Sequence, residues 1–216
     1  MTDGNNDLIG DDMKKISKNI LEKHLDGRKL NMEKIKTWSE MIINDIGNIL
    51  KQKYPEFGYG IFFYISDKTA CNSSSKSIDY LKTDKNLLQI FNTNDFFSEI
   101  RIFANKKYNK RNKFLNNISS EEIIKINKLL QNSLEGRSYI FEKCSNYITN
   151  IAQDINNILL ARENRPCSTL IGFINQLPTK NLYFTYKFFD LEYMPLFFSY
   201  SNDSLSSNIY LFIVNN

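Results

Sequence analysis

Leu25-Asp26-Gly27-Arg28 recurs as Leu134-Glu135-Gly136-Arg137, an offset of 134 − 25 = 109 residues. The same offset sets Glu33-Lys34 on Glu142-Lys143 and Trp38 on Tyr147. It sets Asp45-Ile46-Gly47-Asn48-Ile49-Leu50 on Asp154-Ile155-Asn156-Asn157-Ile158-Leu159, and near the ends Ile100 on Ile209, Ile102 on Leu211 and Phe103 on Phe212. A short motif can recur by chance, but one register held across so many separated segments is an internal duplication. A duplicated chain folds as two copies of one unit, and 216 residues suffice for two small cores.

Each half shows the same order of patterns. In the first, Asp12 is read as opening a helix with its apolar residues at Met13, Ile16, Ile20, Leu21 and Leu25, and Gly27 suits a left-handed C-terminal cap. In the second, Ser119 and Glu122 have capping-box spacing, followed by Ile123, Ile126, Leu130 and Leu134 and then Gly136. A longer second helix follows in each, with faces Ile35, Trp38, Ile42, Ile46, Ile49 and Cys144, Ile148, Ile151, Ile155, Ile158. Pro55 and Pro166 require these helices to have ended. Four strands are predicted after each: 60–66, 77–81, 87–92 and 100–104, then 168–175, 182–189, 196–201 and 209–214. The expected architecture is α+β, an ααββββ unit twice, with antiparallel sheets packed on helix pairs. Residues 1–105 and 118–216 form the two units, and 106–117 form a basic linker.

Composition narrows the functional classes. Hydrophobic residues make up 42% and charged ones 24%, a folded balance, and sixteen Phe with twelve Tyr favour sheets. No run approaches the ~20 apolar residues of a membrane-spanning helix, and the polar, acidic opening lacks the apolar stretch of a signal peptide. Cys71, Cys144 and Cys167 have no metal-binding spacing and read as buried small apolar groups in a reducing compartment. The net charge is +4, while Lys106, Lys107, Lys110, Arg111 and Lys113 alone carry five positive charges. The basicity is therefore one local run, of the kind that forms solvated linkers. The single histidine, His24, has no nucleophile or carboxylate at a telling spacing and reads as a surface helix residue. None of the eight glycines forms a phosphate-cradling loop, and Asp79 with Asp84 reads as turn chemistry at a strand end. No catalytic residue, metal site or cofactor is expected.

The chain resembles the Tctex-type dynein light chains. That family has a first helix ending in a Leu-x-Gly-like turn before Tyr, a Trp-bearing second helix, a strand ending in Trp-Asp, and a final Val-x-Val-Phe-Ala-like strand. The second half has Leu134-Glu135-Gly136-Arg137-Ser138-Tyr139, Phe189-Asp190 and Ile209-Tyr210-Leu211-Phe212-Ile213. The first half has Trp38, Ile78-Asp79 with Thr83-Asp84 behind it, and Ile100-Arg101-Ile102-Phe103-Ala104. Ile78 and Phe189 stand where the family has Trp. The resemblance implies a non-catalytic scaffold whose single-unit members form two-fold dimers by exchanging the second strand. Peptides of the dynein intermediate chain or of cargo then dock as an added strand at a sheet edge, in a cytoplasmic, cytoskeleton-associated and in some settings ciliary or flagellar context. Two units in one chain could build that dimer internally as a pseudo-two-fold monomer, since the linker holds the second unit at roughly millimolar effective concentration.

The candidate partner-binding residues are Tyr183, Phe184, Tyr186 and Phe188 of the aromatic strand 182–189, with Tyr80 and Lys82 in the matching stretch of the first half. By the period of two, Phe184 and Tyr186 share one face, and Tyr183 and Phe189 the other. The rings serve either to bind a peptide strand or to fill the interface between the halves. Trp38 reads as core. The competing function is nucleic-acid binding through the aromatic sheet and the basic run at Lys106–Lys113, for which the ααββββ order is the wrong topology for an RRM. An enzyme with an unrecognised site ranks last.

Overall fold

A computed structural model describes residues 4–68, 73–79, 85–107, 118–163, 167–177, 182–191 and 195–213. Helices α1 (Gly4–Leu25) and α2 (Met32–Lys53) precede strands β1 (Phe57–Asp67), β2 (Ser73–Asp79), β3 (Lys85–Asn92) and β4 (Phe96–Lys106). The order then repeats as α3 (Ser120–Leu134), α4 (Phe141–Glu163), β5 (Cys167–Gln176), β6 (Leu182–Phe189), β7 (Leu196–Ser201) and β8 (Leu205–Ile213). The fold is α+β with two antiparallel four-stranded sheets among the described residues, ordered β3-β4-β1-β6 and β2-β5-β8-β7.

These orders show a strand exchange. β6 pairs antiparallel with β1, Tyr186 opposite Phe62, and β2 pairs antiparallel with β5, Lys76 opposite Gly172. Each second strand thus completes the sheet of the other sequence half. The two compact units interleave accordingly: the first takes residues 1–71, 83–108 and 180–192, and the second takes 72–82, 109–179 and 193–216. In the first unit α1 lies over β3 and α2 over β1 and β6. In the second α3 lies over β7 and α4 over β5 and β2.

The repeat persists in atomic detail. Gly27 and Gly136 both take left-handed φ, +66° and +67°, as the C-cap expectation required. Beside them the Arg28 guanidinium sits 4.9 Å from the Trp38 ring centre and that of Arg137 4.7 Å from Tyr147, a cation–π pair built twice. The β3–β4 and β7–β8 turns also match. Thr93 N–H donates to the Phe96 carbonyl at 3.0 Å and Asn202 N–H to that of Leu205 at 2.9 Å. Ser119 and Glu122 form the expected capping box, each side chain bonding the other's backbone N–H.

Each unit has its own core between helices and sheet. The first contains Met13, Leu21, Ile35, Trp38, Ile42, Ile46, Phe63, Ile100 and the exchanged Phe189. The second contains Ile126, Leu130, Ile148, Ile155, Leu170, Phe198 and Ile209. One pair of aligned positions shows how the copies diverged. Ser39 and Phe63, both fully buried, align with Ile148 and Gly172, and an added Cβ on Gly172 would lie 2.6 Å from Ile148 Cγ2. Bulk moved from sheet to helix, so close packing survived.

Several expectations are corrected. The first helix begins at Gly4, not Asp12, because Ile9 extends its buried stripe. Asp12 instead lies within the helix and accepts hydrogen bonds from Lys53 and Tyr54 at the end of α2. His24 is buried, with its ring nitrogen 2.9 Å from Asp45 on α2. That bond, helped by the Lys23 contact and opposed by burial, holds the Asp45 carboxyl below the usual carboxylate range. Ile49 and Ile123 are exposed while Leu50 and Glu122 are buried, since each buried face departs from the simple stripe by one residue at that one position. The second strand of the first half spans 73–79 rather than 77–81. Cys144, by contrast, is the buried group expected, a free thiol pushed up in pKa chiefly by burial. The Cys71 side chain, Asp84, Pro166 and the basic run from residue 108 onward lie outside the described residues.

Candidate functional site

β6 is the outermost strand of its sheet among the described residues, and its eight residues, LYFTYKFF, alternate between two environments. Toward α2 point Tyr183, Thr185, Lys187 and Phe189 (period two). Tyr183 packs partly buried against the core, and burial followed by the nearby Glu40 carboxylate pushes its phenol pKa up. Lys187 donates from Nζ to Asn44 Oδ1 at 2.7 Å, with its ammonium 5.3 Å from the Phe189 ring centre. Phe189 is seated over Gly47, where no side chain on α2 obstructs it.

The opposite face of β6 carries a run of rings. Phe184 lies 6.1 Å from Tyr186, which lies 5.3 Å from Phe188, and Phe62 of β1 sits 6.0 Å from Tyr186 and 5.9 Å from Phe188. Phe184 and Phe188 are half-buried, but Tyr186 keeps 46% of its surface exposed. Of the residues picked from sequence, the structure therefore unites Phe184, Tyr186 and Phe188 on one face and sets Tyr183 on the other. Tyr80 and Lys82 lie outside the described residues.

Beyond β6 the chain is clamped. Asp190 takes φ of +50°, and its carboxylate pairs with Lys51 at 3.0 Å and Lys107 at 3.6 Å. Its hydrogen bond with Lys51 is the main cause holding the carboxyl below its ordinary value. An added Cβ on Gly58 would stand 2.7 Å from the Asp190 carbonyl oxygen, so glycine is what lets this backbone press onto β1. Lys107, one residue of the basic run, is further held by donating to the Pro55 carbonyl at 2.9 Å.

Between α2 and β6 lies a groove of about 330 Å³, lined by Glu40, Ile43, Asn44, Thr185, Tyr186 and Lys187. Sequence reasoning missed its helix side, because only the strand exchange places α2 beside β6. The one available signal was Lys187, a lone cation within an aromatic run. At the aligned place in the second unit, Lys76 of β2 donates from Nζ to Thr149 Oγ1 of α4 at 2.6 Å.

Residues 8–105 match the sequence model of the Tctex-1 family. The chain carries a Tctex-1 unit. The matched span covers α1, α2 and β1 to β4, and the second half repeats their order beyond it. No curated protein matches the chain. The Tctex-1 family is a non-catalytic dynein light chain family. No helix among the described residues is long and apolar enough to cross a membrane, and no group of three or more metal-ligating side chains occurs among them.

Proposed function

We propose that the chain is an adaptor of the dynein light-chain type that binds extended peptides of the motor's intermediate chain, or of cargo, by adding them as a strand along the edge of β6. The observation that carries this reading is the position of β6: an exchanged strand, last in its sheet, beside a groove on α2. An edge strand directs alternate backbone groups outward, so a peptide strand gains affinity from the main chain and selectivity from the flanking side chains. Tyr183, Phe184, Tyr186 and Phe188 stiffen the strand and flank the added one, and Tyr80 and Lys82 are proposed for the corresponding edge of β2. The chain works in the cytoplasm with the microtubule motor. It is monomeric, because both strand exchanges are completed within one polypeptide.

The test uses overlapping peptides that tile the dynein intermediate chain, immobilised and titrated with the full chain at low salt. Saturable binding of one or a few peptides is expected, with a light-scattering mass near 25.4 kDa. Retention by none of them would end the motor assignment, and a mass twice as large would end the monomer.

A further inference from the structure

The groove beside β6 is electrically polarised along its length. Three contacts show that β6 and α2 run in the same direction: Lys187 bonds Asn44, Phe189 sits on Gly47, and Asp190 pairs with Lys51. The groove therefore begins at an exposed carboxylate, Glu40, and ends at an exposed ammonium, Lys187. Glu40 makes no ion pair among the described residues. The Lys187 ammonium has donor capacity beyond its one bond to Asn44. Ile43 provides an apolar floor between them.

The spacing of the two charges follows from the helix. Glu40 and Asn44, the partner of Lys187, are one helical turn apart, roughly 6 Å at about 1.5 Å per residue. A peptide strand laid beside β6 advances about 3.3 Å per residue, so residues i and i+2 reach the two ends on the same face. Charge complementarity then sets the partner's chemistry: a basic side chain for Glu40 and an acidic one for Lys187.

The second unit lacks these features. Thr149 stands at the position of Glu40 and Ile78 at that of Lys187, so both terminal charges are gone. Lys76, aligned with Thr185, bridges from β2 to Thr149 across the space that is open in the first unit. Building on the strand-addition reading above, we propose that the chain has one such charge-paired site, at β6, and that this site selects an extended peptide bearing opposite charges two residues apart.

The probe is a panel of capped ten-residue peptides with alternating Thr and Val, carrying Lys/Glu, Glu/Lys, Lys/Lys, Glu/Glu or Thr/Thr two positions apart. Affinity is read by fluorescence anisotropy and stoichiometry by native mass spectrometry, on the full chain. The better of Lys/Glu and Glu/Lys should bind once per chain with this preference, about fivefold tighter than either like-charged peptide, as expected for solvent-exposed ion pairs. Glu40→Lys should transfer the preference to Glu/Glu, and Lys187→Glu should transfer it to Lys/Lys. Because either strand direction presents one charge to each end, these two shifts hold for parallel and antiparallel addition alike. Two peptides per chain bound with the same charge preference, or a ranking that neither variant alters, would overturn the proposal and leave strand addition standing. Binding of no peptide in the panel, the uncharged one included, would overturn both.

Discussion

Replacing Gly47 with alanine tests the strand exchange through the sign of its effect. In an exposed or roomy helix interior, Gly→Ala stabilises by about 0.5–1 kcal/mol, since glycine has more backbone freedom to lose on folding. In α2 the added carbon would fall within the Phe189 ring, against Cζ, Cε1 and Cε2 alike. The ring is 8% exposed and part of the first unit's core, so it has no free space to move into. Forcing a core side chain off its seat costs about 1–3 kcal/mol, and displacing a buried Phe outright approaches the 3–5 kcal/mol of Phe→Ala. The repulsion outweighs the helical gain, and Gly47→Ala should destabilise by about 2 kcal/mol in urea unfolding followed by circular dichroism. Once Phe189→Ala has emptied the seat, the same change should become stabilising by about 0.5–1 kcal/mol. The resulting coupling, near 2–3 kcal/mol, is far above the scatter of independent sites. Gly47 and Phe189 are distant in sequence and meet only because β6 crosses to the first unit. Were β6 to pair at home, Gly47→Ala would be stabilising from the outset and the coupling would vanish; either result refutes the exchange.

Two further outcomes follow from the packing and charge of the two units. Gly172→Phe should destabilise by about 2 kcal/mol or more through overpacking against Ile148, and Ile148→Ser by about 3 kcal/mol through the cavity it leaves. The double variant recreates the Ser39–Phe63 arrangement of the first unit, and urea titration should show it recovering at least half of the summed loss. Asp190 has a folded pKa below that of an ordinary aspartate, so its stabilising contribution is fully present above about pH 4 and is lost as pH falls through the depressed value. Asp190→Asn, which keeps a residue tolerant of positive φ, should therefore be less stable than the wild type at pH 6, with the two converging toward pH 2 in pH-dependent unfolding. A stability difference unchanged across that range would show that the Lys51 and Lys107 pairs do not act through the carboxylate charge.

Much of each unit was legible without coordinates. The 109-residue offset, the glycine caps at Gly27 and Gly136, the capping box at Ser119 and Glu122, and the alternation of β6 all rest on interactions within a few residues. A left-handed φ or a period of two is dictated locally, and local energetics survive any tertiary arrangement that keeps the elements. Where the expectations slipped, a distant residue had decided the matter. Asp12 resembled a helix start but was claimed by Lys53 and Tyr54, and His24 resembled a surface residue but was buried against Asp45.

The neighbour of each strand was hidden from the sequence for a deeper reason. Alternation assigns side chains to faces but says nothing of which strand lies alongside, because backbone hydrogen bonds are the same with either partner. Only side chains far along the chain distinguish them. Phe189 meets Gly47, where the aligned residue of α4 is Asn156, and Asp190 meets Lys51, where the aligned residue is Leu160. The sequence by itself thus established two copies of a helix–helix–four-strand unit and the faces of their strands. Tertiary packing alone brought β6 against α2, and with it the groove from Glu40 to Lys187, because that juxtaposition depends on shape and charge between residues that no local period connects.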